Sequence, residues 1–139
     1  MELMIINGPN LDLLGKRDPE TYGTATLEDI LRTLRTEYVG HTIDHFQSNI
    51  EGELIDELHR ADGVYAGVIF NAAGYTHTSV ALTDAVAAIS VPVIEVHISN
   101  IYAREDFRHK SLLSPNCVGS ISGLGVDVYR LAVEHFVAQ

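Results

Sequence analysis

The sequence predicts a doubly wound α/β domain: a five-stranded parallel sheet with helices on both faces, spanning residues 1–139 as a single unit. Three observations carry that prediction. Short apolar runs alternate strictly with longer segments of helical period. The run Val64-Tyr65-Ala66-Gly67-Val68-Ile69-Phe70 is nearly continuous in apolar residues, as a strand buried on both faces requires. Capping and turn residues separate the two kinds of segment.

The first strand, Leu3-Met4-Ile5-Ile6, stops at Asn7-Gly8-Pro9. Thr26 and Asp29 form a capping box for a first long helix, whose apolar stripe is Leu27, Ile30, Leu31, Leu34 and Tyr38, with Gly40 as its stop. His41 to Gln47 reads as the second strand. Ser48 with Glu51 reads as another capping box, opening a helix with Ile50, Leu54, Ile55 and Leu58 on its buried face. Asp62-Gly63 turns the chain into the third strand, 64–70, and a helix from about Thr78 to Ile89 follows. Pro92 precedes the fourth strand, 93–98; after a polar stretch to about Asn116, a fifth strand at 117–121 leads into a closing helix at 126–137. The pattern βαβαβαβαβα demands right-handed crossovers, and five strands favour the flavodoxin-like order 2-1-3-4-5. Ligands of such sheets bind beyond the carboxyl ends of the strands, at the switch point between strands 1 and 3.

Composition narrows the function classes. Nine Lys+Arg against 19 Asp+Glu give a net charge of -10, which leaves no general electrostatic footprint for nucleic acid or anionic lipid. No apolar run reaches membrane-span length, and MELMIINGPN carries no basic region or cleavage site of a secretion signal, so the expectation is a cytoplasmic protein. The single cysteine, Cys117, excludes an internal disulfide framework and a multi-cysteine zinc site. Basic residues nevertheless cluster locally, at Lys16 and Arg17 and at Arg104, Arg108 and Lys110, where a small anion would find them.

Three strand exits are polar. Strand 1 leaves through the 17-residue segment NGPNLDLLGKRDPETYG, long enough to be a lid or binding loop; strand 3 through FNAAGYTHTS; strand 4 through EVHISNIYAREDFRHKS. The fold sets all three on one sheet edge, where they supply Asn10, Arg17, Tyr22, Asn71, His77, Glu95, His97, Ser99, Arg104 and Arg108. Glu95 lies two residues before His97, so both side chains leave one face of the strand. A carboxylate beside an imidazole fixes its tautomer and favours its protonated form, as a general acid needs. Other residues read as structural. His41 and His45 share a strand face without a third ligand and read as surface rather than metal-binding, and Tyr65, Tyr102 and Tyr129 read as packing.

Several chemistries fall away. No GxGxxG follows strand 1, no GxxxxGK[ST] is present, and no acidic cluster follows strand 1 as in a phospho-accepting domain. The two lysines, Lys16 and Lys110, sit in polar loops unsuited to a Schiff base. Acid–base chemistry by Tyr, His, Arg and Asn, with no cofactor and no metal, survives. The rival from another class is a non-catalytic flavodoxin-like module for an anionic metabolite or flavin phosphate. It explains the arginines but not the company of Tyr22, His97 and Glu95.

The segments NGPNLDLLGKRDPETYG, FNAAGYTHTSVALTDA and EVHISNIYAREDFRHKS, with QSNIEGELID and GLGVDVYRLA, closely resemble the signatures of type II 3-dehydroquinate dehydratases along essentially the whole chain. The resemblance implies a flavodoxin-like fold and no metal or cofactor. It further implies anti elimination of water from 3-dehydroquinate through an enolate, in the shikimate pathway, by a dodecamer built as a tetramer of trimers. Position by position, it makes Tyr22 the base, His97 the acid that protonates the departing hydroxyl, Arg17 the stabiliser of the transition state and activator of Tyr22, and Asn10 the holder of a water on the enolate oxygen. It places Asn71, His77, Ile98, Ser99 and Arg108 on the substrate, Glu95 behind His97, and Asp84 in a neighbouring subunit's site. The chain departs from the family at Ile50 and Tyr102, where histidine is expected, and neither position carries a catalytic role.

The proposed base is physically affordable. A phenol with the ordinary pKa near 10 costs about 4 kcal/mol to ionise at pH 7. One unit charge about 4 Å away supplies roughly that much at an effective dielectric near 20. The segment 8–24 carrying Arg17 and Tyr22 has to close over the substrate, with Gly15 and Gly23 as its hinges.

Overall fold

The computed structural model describes residues 1–139. Five parallel strands form one sheet in the order β2-β1-β3-β4-β5, the order the sequence predicts. They are β1 (Glu2–Asn7), β2 (Thr42–Gln47), β3 (Gly67–Asn71), β4 (Val93–His97) and β5 (Gly119–Ser122). The helices are α1 (Pro19–Tyr22), α2 (Leu27–Glu37), α3 (Glu51–Ala61), α4 (Val80–Ala88) and α5 (Asp127–Val137).

The central strands are buried throughout, and the period-2 alternation of their side chains divides the interior into two layers. Leu3, Ile5, Ile43, Ile69, Ile94 and Val96 face α2 and α5. Met4, Ile6, Val68, Phe70 and Val93 face α3 and α4. Register keeps this division consistent, since Asn7 stands opposite both Gln47 and Asn71. The exits of β1, β3 and β4 therefore meet along one sheet edge.

Local chemistry explains the element ends, and in places corrects the sequence reading. The Thr26 capping box is present: its Oγ1 accepts from the Asp29 N–H at 3.1 Å and its own N–H donates to Asp29 Oδ2 at 3.0 Å. The Ser48–Glu51 box is not. Ser48 Oγ accepts from the Ile50 N–H and donates to Glu53 instead, and Ile50 becomes the N-cap of α3. Ile50, expected on the buried face, is consequently 59% exposed. Glu51 accepts from Ser79 Oγ, and Ser79 in turn caps α4 through the Leu82 N–H. That helix begins at Val80, later than expected, because Ala73–His77 winds as a 3-10 helix first. The third strand begins at Gly67, leaving Val64 exposed beyond it, and the fifth begins at Gly119. The long β1 exit is not bare loop: it holds a 3-10 turn at Leu11–Leu13 and the single helical turn α1.

Candidate active site

Where β1, β3 and β4 end, a cleft of about 170 Å³ opens, lined by Asn10, Arg17, Tyr22, Asn71, His77, His97, Ile98, Ser99, Arg104 and Arg108 among others. Nine of the eleven residues to which the resemblance gives a role are thus brought together, and Arg104 from the strand exits joins them. Glu95 sits just behind the cleft, buried beneath His97, and Asp84 lies exposed on α4, outside the cleft of its own chain.

Tyr22 ends α1 and points its phenol at two guanidinium groups. Arg17 Nη2 donates to its Oη at 3.0 Å and Arg104 Nη1 at 3.1 Å. Arg17 also lies over the ring, its Cζ 4.5 Å from the centroid. An oxygen that accepts two charged N–H donors is held as an anion would be held. Arg104 makes a further bond to Ser99 Oγ at 3.2 Å, tying the β4 exit to the β1 exit. The sequence places Arg104 in the basic cluster but gives it no role. Its partner lies 82 residues away in the chain, so no local pattern joins them.

Gly15 and Gly23 take φ of 85° and 79°, left-handed conformations that glycine adopts without penalty, at the two ends of the segment that carries Arg17 and Tyr22. Asn10, with φ 68°, occupies the same region and anchors its N–H on Asn49 Oδ1 at 2.9 Å.

His97 leaves β4 on the same face as Glu95, and its Nε2 donates to Glu95 Oε2 at 2.5 Å. Burial opposes the charge of Glu95. The bond from His97 and those from Ser114 and Ser111 nevertheless hold its carboxyl below the ordinary carboxylate range. An ionised Glu95 commits Nε2 of His97 as a donor and leaves Nδ1 as the nitrogen for other work. His77 stacks beside it with ring centroids 6.3 Å apart. Its Nδ1–H donates to the Lys110 carbonyl at 2.8 Å, which leaves Nε2 uncommitted. Arg108 lines the cleft and is braced by Glu105 Oε2 at 3.1 Å. Three arginines therefore face one cleft in a chain of net charge -10, which makes it a local basin for an anion.

Two residues read as unremarkable carry more than the sequence suggested. His45 is half-buried rather than on the surface, its Nε2 3.1 Å from Asn7 Nδ2. Tyr129 is fully buried and hydrogen-bonded to Asn7 and Asn71, so it does not merely pack. Their partners lie on other strands and helices, beyond the reach of any local period.

Residues 1–137 match the family model described as "Dehydroquinase class II". The 3-dehydroquinate dehydratase of Prochlorococcus marinus is 51% identical over 141 residues, covering 99% of this chain and 97% of that protein. The Bacillus licheniformis protein of the same name is 51% identical over 137 residues, covering 97% and 94%. Among solved structures, the type II dehydroquinase of Butyrivibrio crossotus superposes with a TM-score of 0.95 at 38% identity, over 99% of this chain and 97% of that one. The Propionibacterium acnes enzyme gives 0.94 at 37% identity over the same shares. With the cleft at the sheet's switch point and a near-complete match from end to end, the chain belongs to the class II dehydroquinase family.

Proposed function

We infer that the chain is a type II 3-dehydroquinate dehydratase, a hydro-lyase that converts 3-dehydroquinate to 3-dehydroshikimate and water in the shikimate pathway. The observation that carries the reading is the presence of two hydrogen-bonded groups in one cleft: a phenol oxygen held by two guanidiniums, and an imidazole held by a buried carboxylate.

The chemistry follows from that geometry. Tyr22, as the phenolate, removes a proton from the carbon next to the substrate ketone, and the electron pair moves onto the ketone oxygen as an enolate. Arg17 and Arg104 both donate to that phenol oxygen, the atom that takes up the proton. Asn10 holds the water that hydrogen-bonds the enolate oxygen. Collapse of the enolate expels the hydroxyl from the neighbouring carbon, and His97 supplies the proton that makes it water. Ionised Glu95 accepts from the far nitrogen of His97 and so fixes the orientation in which the ring meets the departing hydroxyl. Base and acid come from different elements, α1 and β4, which suits departure of proton and hydroxyl from opposite faces. Arg108 pairs with the substrate carboxylate, while Asn71, His77, Ile98 and Ser99 bind its hydroxyls and ring.

The proposed assembly is a dodecamer, a tetramer of trimers, in the cytoplasm; no helix of the chain is long and apolar enough to cross a membrane. The test is the appearance of enone absorbance in the ultraviolet when the purified protein meets 3-dehydroquinate. Tyr22→Phe keeps the ring and removes the phenol, and is expected to lower kcat at least about 100-fold. Turnover near that of the unaltered protein would remove Tyr22 from the role of base.

A further inference from the structure

Beneath the cleft, on the sheet face covered by α2 and α5, lies a buried chain of hydrogen bonds of which only the end member, Asn71, reaches the cleft. Asn7 and Asn71 are register partners at the ends of β1 and β3, and Tyr129 of α5 bridges them. The three are 0%, 3% and 0% exposed. Asn71 Nδ2 lies 3.0 Å from Tyr129 Oη, Tyr129 Oη lies 2.6 Å from Asn7 Oδ1, and Asn7 Nδ2 lies 3.1 Å from His45 Nε2.

Only one polarity satisfies this chain. The N–H of Ala73 can only donate, and it does so to Asn71 Oδ1 at 3.1 Å. The nitrogen end of the Asn71 amide is thereby turned to Tyr129, whose oxygen must accept. The single phenol hydrogen then goes to Asn7 Oδ1, which turns Asn7 Nδ2 toward His45. His45 must accept there, as a neutral imidazole with its proton on Nδ1. Its burial, and the charge of Arg35, push its pKa down to about 4, in keeping with that form. Each bond fixes the direction of the next. At the far end, one N–H of Asn71 remains uncommitted, on a residue that lines the cleft.

We propose that Tyr129, Asn7 and His45 are positioning residues that lock the Asn71 amide in one orientation, so that it presents an N–H donor to the substrate. The proposal rests on the reading of the cleft as the dehydration site. The anchoring turn supports it: Ala73 takes φ 54°, a left-handed conformation costly for alanine, directly after the Asn71 exit. A strained turn holds only where its surroundings over-determine it, and the Asn71–Ala73 bond is part of what does so.

A double-mutant cycle tests it. Tyr129→Phe removes the relay but keeps the ring, and is expected to raise KM for 3-dehydroquinate about tenfold with kcat changed less than threefold. Asn71→Ala is expected to raise KM by a similar factor. If Tyr129 acts through Asn71, the double variant is no worse than Asn71→Ala alone. A double loss equal to the product of the singles, or an unchanged KM in Tyr129→Phe, overturns the proposal. Asn7 supplies an independent check should Tyr129→Phe fail to fold. Asn7→Asp can still accept from Tyr129, and His45 can meet its second oxygen by carrying its proton on Nε2, so KM is expected to be preserved; Asn7→Leu can do neither and should raise it, and equal KM values for the two sink the relay. Backbone amide exchange at Ala73 needs no activity at all. It should quicken in Tyr129→Phe, or in Asn7→Leu where that is the variant that folds, while the amides of β1 and β3 stay protected; unchanged exchange overturns the lock. If the unaltered protein fails to turn over 3-dehydroquinate, the reading of the cleft is wrong, and Ala73 exchange still decides the relay.

Discussion

Glu95 concentrates the residue-scale physics of the site. A carboxylate 1% exposed would be strongly destabilised alone, yet it accepts from His97, Ser111 and Ser114 and is thereby kept ionised. Glu95→Gln preserves shape and an acceptor oxygen but removes the carboxylate charge that faces His97 across their hydrogen bond. It is expected to lower kcat about 100-fold or more while KM moves little, measured in the enone assay. His45 gives a pH prediction. Its pKa falls from the ordinary 6.5 to about 4 on folding, so the unfolded chain binds the extra proton first. The stability it confers is complete above pH 6.5 and is lost progressively as pH falls toward 4. Denaturation midpoints across that window should therefore be flatter for His45→Gln than for the unaltered protein. Both Glu95 and His97 were legible in the sequence because a strand puts i and i+2 on one face. Arg104 was legible as a strand-exit residue, but its contact with Tyr22 was not, nor were the bonds of Tyr129: the sheet order brings these partners together, and no spacing along the chain encodes that.

The elements repeat the same division between local and non-local. Thr26 and Asp29 form the capping box their spacing predicts because both halves of the motif lie within one turn. At Ser48 the same motif was misread. Its hydroxyl prefers the Ile50 N–H and Glu53, while Glu51 is drawn to Ser79 on the neighbouring helix, a competitor 28 residues away. Strand identity was legible from apolar runs, but strand starts were not. Val64 and Tyr65 have the composition of a strand, yet the sheet pairing begins only at Gly67. The capping box at α2 yields its own expectation. Thr26→Ala leaves the Asp29 N–H without its partner and should cost about 1 kcal/mol, within the roughly 0.5–2 kcal/mol range for such caps. The check is a lower denaturant midpoint with an unchanged m-value, since a changed m-value would signal a different unfolded state rather than a lost cap.

At the scale of the whole molecule, one nominated residue stands apart. Asp84 is exposed on α4, whereas His77, just ahead of that helix, lines the cleft. Val80 lies one turn before Asp84 on the same helix and is 64% exposed, and Ile50 at the start of the adjacent α3 is 59% exposed. Apolar side chains left in water beside an unused carboxylate suit a face that another subunit covers. In the proposed assembly Asp84 completes a neighbour's site rather than its own, so one chain is an incomplete enzyme despite owning Tyr22 and His97. Asp84→Ala is then expected to lower activity, and Tyr22→Phe to abolish most of it. Mixed oligomers of the two should recover activity that neither has alone, because some sites pair an intact Tyr22 with an intact Asp84 from next door. Random mixing in equal amounts makes about one quarter of the sites fully intact if each site draws on one neighbour. Mass spectrometry verifies that the oligomers are mixed. Verified mixtures with no more activity than the sum of the parents would confine Asp84 to its own subunit, and the trans arrangement would fail with it.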